Sequence, residues 1–236
     1  MAQFFTDFSE YTTGVAPDDW SDRGTATGFT VETTATAGSD SNSTGVVLVV
    51  PNSGIVSWDA AGTSSDAEVF ALFESSATGT NRNPFAFIRG TSSGSSRIRG
   101  GRVYEDSVVV RTVNPGNNVV FGDCTATVQV VTKHYIRYRV NGSDVKIKAW
   151  DFGDTEPVGW DIEGTQSLIT AAGYVGIERT LSSVYVHEFG VGTGGDSAPT
   201  EAVAGGTTGD IIQSIAGYGG IAGPGGIAGR SGGIAG

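Results

Sequence analysis

The sequence predicts an all-β protein, a two-sheet antiparallel jelly-roll sandwich carrying an extended glycine-rich C-terminal repeat. Three observations predict it. Short apolar runs recur at close spacing along the first two hundred residues, glycine, asparagine, aspartate, serine and proline separate them, and runs of helical period are almost absent. Sheets that are apolar on one face must bury that face on one another, which makes a sandwich the economical arrangement.

The runs are "GVVLVVPNSGIVSW", "AEVFALFES", "NPFAFIRG", "DSVVVRTV", "TATVQVVT", "HYIRYRV", "DVKIKAW", "AAGYVGIER" and "SSVYVHEFGVG". All are rich in Val, Ile, Tyr, Phe and Thr, the residues that fit a pleated, half-buried surface. The best helical candidate is "TQSLITAAG", and it is short. The sharpest hairpin is "IRYRVNGSDVKIKAW", with a turn expected at Asn141-Gly142. Period-2 alternation sends Ile136, Tyr138, Val140, Val145, Ile147 and Ala149 to the core. The same alternation puts Arg137, Arg139, Lys146 and Lys148 on the opposite face. That stripe reads either as a reader of an anionic ligand or as a solvated face that discourages edge pairing.

Charge and composition exclude several classes. Against 14 lysines and arginines stand 25 acidic residues, a net charge of −11, so a nucleic-acid phosphate backbone is a poor partner. No apolar run reaches membrane-spanning length, so no membrane insertion is expected. The opening "MAQFFTDFSEY" has neither the basic nor the apolar region of a secretory signal, which suggests folding in a cytosol. The single cysteine, Cys124, excludes an intramolecular disulfide and reads as a small buried hydrophobe. Asn42 and Asn141 head Asn-x-Ser/Thr sequons, relevant only to a eukaryotic secretory route.

A stretch near the C-terminal end of the sandwich carries a family resemblance. "YIRYRVNGSDVKIKAWDFGDTEPVGWDI", then "ITAAGYVGIE" and "VYVHEFGVGTGGDSAP", resembles the concanavalin A-like lectin/glucanase domain of tailed-phage virion proteins. The features that carry it are Lys148-Ala149-Trp150, Glu156-Pro157 followed by Trp160, Gly173-Tyr174-Val175-Gly176 and the closing "FGVGTGG"; the opening "DFSEYTTGVAPDDWSDRG" looks like the group's first strand and loop. The resemblance spans roughly residues 1–200 and rests on structural rather than catalytic motifs. It implies a jelly roll that serves as a carbohydrate-binding or virion-surface module.

Trp150 and Trp160 flank "DFGDTEPVG" and read as packing residues or, if exposed, as flat apolar faces for a sugar ring. With the four cations they make up the ligand-binding candidates. Catalytic residues are not found. The glucanase pattern needs closely spaced carboxylates, and "EVFALFE" offers only Glu68 and Glu74, roughly 20 Å apart along an extended strand. "HEFGV" lacks the second histidine of a zinc-protease helix, and "DFG" at 151–153 has no phosphate-cradling loop with it. No cofactor and no metal are expected; the nearest oxygen-ligand set is Asp151, Asp154 and Glu156, which departs from the calcium-loop pattern.

The last residues form a repeat. Glycine falls at every third position through Gly217, Gly220, Gly223, Gly226, Gly229 and Gly232, and "IAG" begins at Ile215, Ile221, Ile227 and Ile234. Glycine triplets suit bundled three-residue helices and an isoleucine-headed hexad suits a β-helical coil. Neither can satisfy its backbone alone, so the tail reads as an assembly element.

The expected organisation is therefore a sandwich over 1–196, a linker over 197–210 and an assembly tail over 211–236. The leading functional expectation is a non-enzymatic virion structural protein, capsid decoration, head fibre or tail fibre. It would be displayed at the virion surface and joined through its tail as a homo-oligomer, a trimer foremost, or to another virion protein. The alternatives are a carbohydrate-binding adhesin with a cell-surface glycan as partner, or a self-assembling extracellular filament subunit; glycan cleavage is disfavoured.

Overall fold

Strand-forming residues in alternation are distributed over seventeen strands among the described residues of the computed structural model. It describes residues 2–24, 28–39, 44–51, 54–75, 84–103, 107–115, 117–125, 133–180, 183–201 and 207–208. In chain order the strands are β1 (Ala2–Thr6), β2 (Trp20–Asp22), β3 (Thr30–Thr33), β4 (Val46–Val50), β5 (Ile55–Trp58), β6 (Thr63–Ser64), β7 (Ala67–Ser75), β8 (Pro84–Gly90) and β9 (Arg97–Val103). They continue as β10 (Ser107–Asn114), β11 (Asn117–Thr125), β12 (Lys133–Asn141), β13 (Asp144–Asp151), β14 (Ile162–Thr165), β15 (Gly173–Arg179), β16 (Val184–Thr193) and β17 (Thr207–Thr208).

Two sheets result. The first runs β14-β13-β12-β7-β16-β1-β17, with β4 also on β16 and β3 on β4. The second runs β11-β10-β9-β8-β15-β5-β2, with β6 on β15. Pairing is antiparallel throughout except where β17 lies parallel to β1. Between the sheets one continuous core collects the inward set of each strand, among them Val69, Ala71 and Phe73 of β7 and Ile136, Tyr138 and Val140 of β12. At one end Trp20 stacks on Trp58 at 5.7 Å with Phe189 edge-on to both, and Trp58 Nε1 donates to Asp19 Oδ2 at 2.8 Å.

Two expectations are corrected. "TQSLITAAG" is a loop, because the Gln166 amide accepts from Ile169 N at 3.1 Å and donates to Ile169 O at 2.8 Å in place of a helical ladder. The described helix is instead Thr34–Ala37, capped by the Thr33 side chain and ended by Gly38. In the β12–β13 hairpin Asn141 still pairs with Asp144, so the two turn residues are Gly142 and Ser143. Gly142 takes φ +57 while Ser143 does not, as in a glycine-first type II′ turn.

The junction expected at residue 197 falls within a docked segment. After β16 the chain turns back and lies on the outer surface of the first sheet. A Cβ on Gly190 would stand 2.2 Å from Pro199 O, and one on Gly192 2.4 Å from Asp196 O. Gly190 and Gly192 of "FGVGTGG" are thus where backbone crosses backbone. Asn42 and the assembly tail, Ile215 to Ile234 included, lie outside the described residues. Cys124 is placed by its backbone on β11, opposite Val108.

Candidate functional site

The outer surface of the first sheet is built by the residues left over when β7, β12 and β13 bury their inward set. Glu68, Phe70 and Glu74 of β7 stand beside Tyr135, Arg137 and Arg139 of β12. Lys146, Lys148 and Trp150 of β13 complete the surface. All six ligand-binding candidates except Trp160 therefore share one sheet face, and Trp160 joins them from the loop after β13.

The cations there are not an open stripe. Arg137 is buried and makes a bidentate pair with Glu156, Nε to Oε1 at 2.7 Å and Nη2 to Oε2 at 3.0 Å. Its Nη1 also donates to Glu68 Oε1 at 2.7 Å and to Ala198 O at 2.9 Å. Lys148, also buried, reaches Glu156 Oε1 at 2.8 Å and donates to Pro157 O at 2.6 Å. Burial alone would lift the Glu156 carboxyl, but hydrogen bonds and charge from Arg137 and Lys148 outweigh it and hold it below its usual value. Arg139 stands 3.9 Å from Glu68, and Lys146 pairs with Glu163 at 2.5 Å. Between these two outer cations, Asn141 and Asp144 line a groove of about 190 Å³.

What this lattice holds is the loop from Asp151 to Trp160. Glu156 and the Pro157 carbonyl are its anchors, and Asp161 closes it by accepting from Ala149 N at 2.8 Å. Pinned this way, the loop presents Phe152 at 53% exposure and Val158 at 100%, with Trp160 half-buried under the Lys148 ammonium. Phe152 extends a row of rings: Phe70 stacks on Tyr135 at 5.4 Å, Tyr135 on Trp150 at 5.3 Å, and Tyr135 meets Phe152 at 5.9 Å. Trp150 is thereby a packing residue, 6% exposed, while Phe152 and Trp160 reach the surface, each with an ammonium over its ring, Lys133 at 4.4 Å and Lys148 at 5.0 Å. The docked segment closes the other side, with Ala198 packed among Phe70 and Trp150 and its N–H donating to Glu68 Oε1 at 3.1 Å.

Neither other chemical expectation finds a centre here. Asp151, Asp154 and Glu156 do not converge, because Glu156 turns back onto Arg137 and Lys148. Among the described residues no trio of His, Cys, Asp or Glu is grouped to hold a metal ion. The two β7 carboxylates each have a structural engagement. Glu68 takes Arg137 and the Ala198 amide, and Glu74 meets His187 Nε2 at 2.8 Å. His187 is the extra residue of a bulge between Val186 and Glu188, which turns its ring toward β7.

Sequence reasoning missed Glu68 as the partner of the stripe, and Tyr135, Phe152 and Val158 as surface features. Phe152 was legible only as part of "DFG". A separate cavity of about 300 Å³ lies in the loop between β1 and β2, lined by Glu10, Tyr11, Thr12, Val15, Ala16, Pro17 and Asp18. Burial raises the Glu10 carboxyl above its usual value, with Asp7 and Asp19 adding to the effect. Burial likewise raises Asp19, against hydrogen bonds from Trp58 and Tyr11.

No protein-family model matches the chain, and no curated protein matches it in sequence. Solved structures do match in fold. The carbohydrate-binding module CBM66 from Bacillus subtilis superposes with a TM-score of 0.54 at 11% identity, over 72% of this chain and 92% of its own. The GH16 protein of a Bacteroides ovatus mixed-linkage glucan PUL, solved with a G4G4G3G product, gives 0.53 at 9%, over 80% and 99%. A Crh5 transglycosylase gives 0.51 at 10%, over 82% and 85%. These similarities establish a concanavalin-like jelly roll.

Proposed function

We propose that the chain is a non-catalytic carbohydrate-binding module whose ligand lies on the loop from Asp151 to Trp160. The observation that carries this reading is the pinned loop itself: two aromatic rings and an exposed Val158, held by Glu156 on a buried arginine and lysine. A pyranose presents apolar C–H faces ringed by hydroxyls. Phe152 and Trp160 suit the faces, and Arg139, Asn141, Asp144 and Lys146, in the groove at the hairpin-turn end of the same sheet, suit hydroxyls further along an oligosaccharide. Rings fixed before binding lose little entropy on contact. Neighbours of this fold that bind or act on glycans support the class. Binding is favoured over cleavage by the engagement of Glu68 and Glu74 in structural contacts. Display at a virion surface through residues 211–236 is the place we propose for the module, supported by the isoleucine hexad and the resemblance.

Nuclear magnetic resonance titration with a panel of neutral oligosaccharides, led by a mixed-linkage glucan tetrasaccharide, tests the reading. Wild type should bind a member of the panel with shifts centred on residues 152–160. Phe152→Ala and Trp160→Ala should each weaken it by about tenfold or more, ~1.4 kcal/mol. A chain stopped after Thr208, which keeps β17, should bind equally well but show a lower subunit count by light scattering. Silence across the panel would reject glycan binding, and an unchanged subunit count on truncation would reject assembly through the tail.

A further inference from the structure

The opposite surface of the sandwich carries a charge arrangement of another kind. On β9 and β10 the outward set includes Arg97, Arg99 and Arg111, and Arg99 and Arg111 are register partners across the strand pair. Like charges directly opposite each other on an antiparallel pair destabilise it unless something between them compensates. One carboxylate serves the group. Glu178 of β15 accepts from Arg97 Nε and Nη2 at 2.5 Å each, and from Arg99 Nη1. Arg97 Nη1 is spent on Gly94 O. Arg111 makes no hydrogen bond or ion pair among the described residues, and the Nε atoms of Arg99 and Arg111 are buried without an acceptor. The Arg99 guanidinium lies over the Phe85 ring at 4.4 Å, and Phe85 packs on Val109, so the floor beneath the group is apolar.

We propose that Arg97, Arg99 and Arg111 form a second site, for an oxyanion substituent of an acidic glycan, a carboxylate or a sulfate ester. Among the described side chains, three guanidinium groups beside one carboxylate leave two positive charges in excess, on a chain whose net charge is −11. A planar fork of N–H donors matches a carboxylate or sulfate two oxygens at a time, and an apolar floor strengthens such bonds. An anion seated between Arg99 and Arg111 relieves their repulsion and supplies the missing acceptor. Burial depresses the Arg99 guanidinium, opposed by Glu178 and reinforced by Arg97 and Arg111, as expected where cations outnumber anions. At long range the acidic chain repels polyanions, and screening confines that repulsion to about 8 Å at physiological salt. The site therefore favours one substituent on a largely neutral glycan. That the oxyanion belongs to a glycan rests on the glycan-binding reading; the anion site does not.

The test compares wild type with Arg111→Gln at constant ionic strength, using inorganic sulfate first. Sulfate should shift the side-chain Nε–H signals of Arg99 and Arg111 saturably, and the shifts should vanish in the variant. Without sulfate the variant should melt at or above wild type, because a repulsion has been removed. A sulfated oligosaccharide or an oligogalacturonide should then compete with sulfate. Absence of a saturable shift, the same shift in Arg111→Gln, or a variant that melts well below wild type would overturn the site. Sulfate binding without competition by either acidic glycan would overturn the glycan source alone. Failure of the neutral panel would leave the sulfate result standing, so the two readings fail separately.

Discussion

The two outer faces of the sandwich arise from the same alternation and are neutralised differently. On the first sheet Arg137, Arg139, Lys146 and Lys148 meet Glu68, Glu156 and Glu163, so nearly every cation has an anion from elsewhere in the chain. On the second sheet Arg97 and Arg99 share Glu178, and Arg111 beside them has no anion among the described residues. A matched lattice positions its own chain, here the loop that carries Phe152 and Trp160. An unmatched one has donors left for something else. A row of cations in a strand pattern therefore gains meaning only from where its counter-charges come.

The comparison breaks if the matched face proves dispensable or the unmatched one essential. The largest effect is expected at Arg137→Ala, which leaves Glu68 buried at 3% exposure without its closest cation. Removing one partner of a buried pair costs about 3–5 kcal/mol, measurable by urea unfolding, whereas Arg111→Gln should cost nothing. A similar loss at both positions would erase the distinction. The smallest effect belongs to an unmatched anion, Glu10, whose Oε1 is buried without a donor. Its raised carboxyl means the folded form holds a proton more tightly than the unfolded form, so stability falls as pH rises through that window. Glu10→Gln should melt slightly above wild type at neutral pH, and the gap should close below the ordinary value of 4.5. A gap that persists at lower pH would assign the gain to packing instead.

The hairpin that organises the first face was legible from local sequence, because period-2 alternation from Ile136 to Ala149 fixes both faces at once. Its neutralisation was not. Glu68 precedes Arg137 by 69 residues, and their contact follows from β7 pairing with β12, a register that local pattern does not specify. The ring row from Phe70 through Tyr135 to Trp150 is hidden for the same reason, since it crosses three strands. Arg97 and Arg99 alternate visibly in "RIRG", but their conflict with Arg111 needs the β9–β10 register. Trp150 and Trp160 look equivalent in sequence and separate only when Trp150 proves to be a register partner of Tyr135. The docked segment has the composition of a linker, and the glycines beneath it, Gly190 and Gly192, are the sign in the sequence that chain packs there.

The central claim is that Glu156, held by Arg137 and Lys148, keeps the aromatic loop in place. Amide hydrogen exchange across residues 152–160, compared between wild type and Glu156→Gln, tests it most directly. The account predicts faster exchange confined to that loop in the variant, with β12 and β13 as protected as before. Unchanged exchange in the loop would show that its position does not depend on the cations beneath it.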